Sequence, residues 1–190
     1  MPRWTTIGTI LVSAAALSLA ACDKAAEAEG TTSASGSVQS NANEDLFNVL
    51  GDASDLSTAA KLMKEAGLEK TLEGVGSYTV FAPTDEAIAA LPEAERKALE
   101  SAEGRPQLLA LVSQHLAPGY ISRKDLDDGL ARAKGTVRLA STGTAPIEVR
   151  KAGNDVRLGE GEDAPKIVGE PLMARNGVIY RIDRVMSPPK

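Results

Sequence analysis

The sequence has a single cysteine and a single histidine among its 190 residues. A lone thiol closes no internal disulfide, so the fold has to be stable without one. One histidine leaves no H-x-x-x-H metal pair, and there is no G-x-S-x-G nucleophile elbow. The histidine, His115, lies in "LLALVSQHLAP", on an apolar face where a packed, hydrogen-bonded ring fits better than a general base. Aromatic residues make up only 3% of the chain, and the net charge is −5. A nucleic-acid binder needs a basic face to displace counterions, so that class is excluded. The acidic run "GEGED" (residues 159–163) lacks the alternating oxygen ligands and terminal glutamate of an EF-hand loop. "GVG" (residues 74–76) precedes a strand pattern instead of opening a helix, so it cradles no phosphate. The expectation is a protein with no catalytic residue, no metal and no cofactor.

What is present falls into three parts. The first is the leader "MPRWTTIGTILVSAAALSLAAC". Arg3 is followed by an uncharged apolar run over residues 7–21, the shape of a secretory signal and too short for a membrane-spanning helix. Its end, Leu19-Ala20-Ala21-Cys22, resembles the lipobox of bacterial lipoproteins. That resemblance implies cleavage before Cys22 and acylation of its thiol; the alternative is ordinary A-x-A cleavage with an idle cysteine. The second part, residues 22–44, is rich in Ala, Ser, Gly, Thr and Glu. It holds too little apolar surface to offset its chain entropy and reads as a tether with a root-mean-square reach of roughly 25 Å. The third part, residues 45–190, carries the globular domain.

Within that domain the hydrophobic period changes. Leu46, Phe47 and Leu50 share a helical face after Asn43, a candidate N-cap. Leu56, Ala59, Ala60, Met63 and Ala66 follow at helical spacing, and Gly67 is placed to end that helix. "SYTVFA" then alternates as a strand, with Phe81 opposite Tyr78, Val80 and Ala82. Pro83 withholds a ladder donor, so the strand stops there or lies at an edge. Thr84 is placed to cap the next short helix, with Asp85 and Glu86 in its first turn. A polar helix near residues 93–101 precedes one opened by Pro106, which carries Leu108, Leu111, Val112, His115 and Leu116 on one face and is stopped by Pro118-Gly119. Ser122 caps a further helix, with Asp125 at the third position. From Thr136 onward the period is two, through "TVRLA", "PIEVRK", "NDVRLG", "PKIVGEPLMA" and "GVIYRID". Asn176-Gly177 is the strongest turn signal. The class is α+β, with helices first and strands last.

Three blocks in this order carry a resemblance to the fasciclin domain over residues 45–188: "YTVFAPTDEAIAALP", "LLALVSQHLAPGYISRKDL" and "NGVIYRIDRVMSPP". The resemblance implies a single fasciclin-like domain in which a small β-wedge or sandwich is flanked by helices. It also implies a binding or adhesion module at the cell surface. Two departures bear on site residues. The family usually places Tyr before the central His, where this chain has Gln114-His115. Animal matrix relatives carry Glu-Pro-Asp-Ile-Met ahead of the Asn-Gly turn, whereas here Glu170-Pro171 runs directly into Leu172, without the acid.

The expected function is that of a lipid-anchored cell-envelope protein, facing the periplasm or exterior as a monomer, which binds an envelope protein or polysaccharide. The alternative is a receptor holding a small apolar ligand between sheet and helices. The candidate contact segment is Pro171, Leu172, Met173 and Arg175, with Gln114 and residues 118–122 as a second candidate. Proline and exposed Leu or Met at an edge strand would suit docking; inward-facing Leu172 and Met173 would simply be core. His115, Pro83, Thr84, Asp85, Asn176 and Gly177 are expected to be structural.

Overall fold

The computed structural model describes residues 40–41 and 43–186. The leader, Cys22 and the tether up to residue 39 lie outside the described residues.

A five-stranded sheet forms the middle of the domain. Its central members are β2 (Tyr78–Pro83) and β8 (Gly177–Ile182), which pair in parallel although about a hundred residues separate them. Further out on the β8 side are β7 (Ile167–Ala174) and the two-residue β1 (Ser40–Asn41); beyond β2 lies β3 (Leu116–Pro118). The described fold therefore begins at Ser40, not at Asp45: Ser40 pairs with Met173, and Asn41 with Ala174.

Each face of this sheet covers a separate core. Val80, Ala82, Leu172 and Ile179 point to a helical side made by α1 (Leu46–Asp52), α2 (Ser57–Glu65), α3 (Glu69–Glu73), α4 (Asp85–Ala89) and α6 (Arg105–Gln114). Phe81, Val178, Tyr180 and Ile182 point the other way, onto α7 (Arg123–Arg132) and a second sheet of β4 (Thr136–Leu139), β5 (Ile147–Ala152) and β6 (Asp155–Leu158). Burial on both faces explains why Val80, Phe81 and Ala82 are all fully enclosed. The Phe81 and Tyr180 rings stack with centroids 5.6 Å apart, and the Tyr180 hydroxyl donates to the Ile121 carbonyl at 2.9 Å. The remaining helix, α5 (Glu93–Glu100), buries none of its residues.

The α+β class and the period switch at residues 79–92 appear as read. Pro83 ends β2, which lies inside the sheet and not at its edge. Gly67, at φ +83°, closes α2 with amide bonds from Gly67 to Lys64 O and from Leu68 to Met63 O. Three local readings change. Asp45, not Asn43, caps α1, accepting from the Asn48 amide at 3.0 Å. Leu116 leaves the helix face: α6 ends at Gln114, and Leu116–Pro118 pairs with the edge of β2, where backbone donors and acceptors need partners. The β7–β8 loop consists of Arg175 and Asn176, with Gly177 already in the strand. Gly177 is required by close approach: a Cβ there would lie 2.1 Å from the Tyr78 carbonyl oxygen and 2.5 Å from a Leu46 methyl.

Candidate interaction surface

Asn176 organises one end of the larger sheet. It is 5% exposed, and its side chain bonds in three directions. The amide oxygen accepts from Leu46 N at 2.8 Å, capping the start of α1. The amide nitrogen donates to Leu72 O at 2.6 Å and Gly74 O at 2.8 Å, closing the end of α3. One residue in the hairpin loop thus satisfies orphan groups on two helices.

The hairpin so fixed places the proposed contact segment. The β7–β8 register shifts between Val168 and Leu172, where Gly169 adopts φ +66° and Pro171 follows. Beyond this bulge, Pro171 is buried and Leu172 enters the helical core. Met173 projects to the opposite face, where it is half-buried. Pro171 and Leu172 are thereby removed as direct contacts, because the bulge turns them inward. Nor is β7 a free edge at Met173, since Ser40 pairs there. Arg175 is exposed at the tip; its guanidinium lies 3.7 Å from the Asp45 carboxylate and donates to Glu73 O at 3.4 Å.

Tyr120 reaches Met173, its hydroxyl 3.5 Å from the thioether sulfur. The backbone beneath Tyr120 is held firmly. Thr79 Oγ1 donates to Gly119 O at 2.8 Å and accepts from Ile121 N at 3.0 Å, while Gly119 N donates to Ser77 O at 2.8 Å. Tyr120 is 42% exposed, and the neighbouring turn presents Val75 fully to solvent. In the sequence Tyr120 falls only within the candidate loop of residues 118–122; no periodicity marks its exposure.

The second candidate, Gln114, is 6% exposed and faces inward. Its Nε2 donates to Ala145 O at 2.9 Å, so it is also removed as a direct contact. His115 next to it is 2% exposed. Its Nδ1–H donates to Leu111 O at 2.8 Å, and its Nε2 accepts from Met186 N at 3.1 Å. That pair of roles defines a neutral ring. Burial lowers its pKa to about 4, only partly opposed by the Leu111 carbonyl.

At the other end of the sheet, Thr84 caps α4 by accepting from Ala87 N at 3.2 Å. Asp85 reaches back to α2, accepting from Thr58 N and Ser57 Oγ, each at 2.8 Å. Burial alone would raise the Asp85 pKa; the hydrogen bonds from Thr58 and Ser57 outweigh it and lower the net value. Leu56, at the N-cap of α2, offers no side-chain cap of its own. Asp85→Ala is therefore expected to cost about 1–2 kcal/mol, the upper part of the range for a lost helix cap. Urea unfolding measures this, and a cost below about 0.5 kcal/mol would show that the bridge to α2 contributes nothing.

Among the described residues the apolar interior offers little room. The apolar enclosure among Leu62, Ile88, Leu111, His115 and Val185 has a volume of about 20 Å³, far below the several hundred typical of ligand pockets. No group of three His, Cys, Asp or Glu side chains is placed to hold a metal among the described residues. Among those residues, too, no helix is long and apolar enough to cross a membrane.

The fasciclin domain family model matches residues 54–188. The chain is 30% identical over 169 residues to the protein sll1483 of Synechocystis sp., covering 86% of this chain and 87% of that one. It is 31% identical over 145 residues to the transforming growth factor-beta-induced protein ig-h3 of Sus scrofa, covering 76% of this chain but only 19% of that protein. Among solved structures, a domain pair from the insect cell adhesion molecule Fasciclin I superposes with a TM-score of 0.58 at 17% identity, covering 76% of this chain and 51% of that one. At that identity the likeness concerns the fold.

Proposed function

The chain belongs to the fasciclin domain family, and from that premise we propose that it is a non-catalytic adhesion module of the bacterial cell envelope. Cys22 carries the lipid anchor, and the monomeric domain presents the Tyr120 end of its larger sheet to a protein partner. The observation that supports this reading is the partly exposed Tyr120, whose hydroxyl contacts the Met173 thioether, over a backbone fixed by Thr79, with Arg175 exposed at the tip of the hairpin that Asn176 holds. Tyr, Met and Arg are the residue types enriched where protein interfaces are buried, and a rigid platform loses little entropy on binding. A polysaccharide partner has less support, because Tyr120 is the one large aromatic exposed among the described residues. The small-ligand alternative has less support still, given the 20 Å³ enclosure.

A photo-crosslinking residue in place of Tyr120 tests this in intact cells. The expected result is a protein adduct of defined mass, absent when the same residue replaces Arg96 on the exposed face of α5. Adducts equal at both positions, or at neither, would contradict the reading. Anchoring is tested separately: Cys22→Ser is expected to leave the membrane fraction or retain its leader, because stable attachment depends on the acyl chains. Recovery of mature protein with an unmodified Cys22 would end that part of the proposal.

A further inference from the structure

Asn176-Gly177 is the one Asn-Gly pair in the chain. In an unfolded chain such a pair is reactive. Glycine has no side chain to shield its amide, and its backbone turns freely, so the Gly177 nitrogen can reach the Asn176 side-chain carbonyl carbon. The nitrogen attacks and gives up its proton, ammonia leaves, and a five-membered succinimide closes. Water then opens the ring at either carbonyl, leaving aspartate or isoaspartate. No oxidant or reductant is needed. The folded domain blocks the first step. Asn176 is 5% exposed, and its amide is aimed at Leu46 N, Leu72 O and Gly74 O. The Tyr78 amide holds its backbone carbonyl at 3.1 Å. Swinging the side chain toward the Gly177 nitrogen would break all three amide bonds and leave the ends of two helices unsatisfied.

Neither product fits the site that Asn176 occupies. Toward α1 a carboxylate is tolerated, because an oxygen can still accept from Leu46 N at the positive end of that helix. Toward α3 it is not. The amino group that donates to Leu72 O at 2.6 Å and Gly74 O at 2.8 Å would become a carboxylate oxygen, which only accepts. Three oxygens would then face one another with no hydrogen between them, in a place nearly closed to water. Isoaspartate adds a methylene to the main chain. It does so next to the first pair of the parallel register, Tyr78 with Gly177, and displaces the β8 residues that follow.

We propose that Asn176 is a deamidation site gated by folding, inert in the native domain and reactive in the unfolded chain, whose products block return to the native state. Brief unfolding is then reversible, and prolonged unfolding is not. This site does not rest on the role given to Tyr120. The test holds the full chain in mildly alkaline buffer with and without urea and follows the tryptic peptide Asn176–Arg181 by mass spectrometry. Conversion to the aspartyl and isoaspartyl peptides is expected to be about a hundredfold faster or more in urea, the ratio following the population of the opened state. When partly converted protein is refolded, the folded fraction should keep unmodified Asn176, and the modified peptides should collect in the fraction that stays unfolded. Asn176→Asp, which reproduces one product, should lower the urea midpoint or fail to fold. Asn154→Asp, in the exposed turn between β5 and β6, should leave the midpoint unchanged. Three results would overturn the inference: equal conversion with and without urea, modified residue 176 as abundant in the refolded protein as in the remainder, or an Asn176→Asp chain with the midpoint of the parent.

Discussion

Gly177→Ala is expected to destabilise the domain by at least about 3 kcal/mol or to prevent folding, at the severe end of overpacking. The added Cβ would sit 2.1 Å from the Tyr78 carbonyl oxygen, a backbone atom that no rotamer change can move. To make room, β2 and β8 must separate at the first pair of their parallel register, Tyr78 with Gly177. The Asn176 bonds to α1 and α3 begin one residue away and would be strained with them. Gly51→Ala provides the contrast. Gly51 lies within α1 and has nothing within 4 Å of its would-be Cβ. There the same substitution should stabilise by about 0.5–1 kcal/mol through helix propensity. Urea unfolding of both variants measures the difference, and similar changes at the two sites would show that close approach at Gly177 is not what demands glycine.

Acidification should expose the cost of burying His115. In the folded state the ring stays neutral down to a pKa of about 4, whereas the unfolded ring takes up a proton near 6.5. Between those values the unfolded state binds more protons, so stability is full above pH 6.5 and falls as pH drops toward 4. At 1.36 kcal/mol per unit, the loss amounts to about 3 kcal/mol. His115→Leu removes the titration and also the acceptor for Met186 N, so it should be less stable at pH 7. Its disadvantage should then shrink by about 3 kcal/mol between pH 7 and pH 4, because contributions from carboxylates cancel in the comparison. Parallel stability curves for the two proteins would mean that the ring is not held neutral by burial.

Features set by near neighbours in the chain are legible in the sequence, and those set by distant ones are not. The corner at Thr79, Pro83 and Thr84 was legible because its signals are local: a period of two, a proline, a capping hydroxyl and two acids in a first turn. The same holds for the capping box at Ser122 and Asp125. Leu116 was misplaced because it continues the apolar face of α6; its actual partner, the edge of β2, lies more than thirty residues earlier. Asn176 was legible as a turn residue. Its bonds to Leu46 and Leu72 span 130 and 104 residues and leave no trace in local pattern. Pro171 and Leu172 were ambiguous because proline suits an edge and a bulge equally, and only the register shift decides. Exposure of Tyr120 depends on how a turn packs over Met173, which no periodicity encodes.

The most direct test of the proposed role is Tyr120→Asp, measured for affinity toward the protein captured by the crosslink. Tyr120 is partly exposed and its one polar contact is a weak bond to sulfur, so folding should survive, with a change in stability below about 1 kcal/mol. Loss of an aromatic anchor and introduction of an unpaired charge at the contact should weaken binding about tenfold or more, equivalent to 1.4 kcal/mol. A folded Tyr120→Asp protein that binds its partner as tightly as the parent would contradict the assignment of this surface.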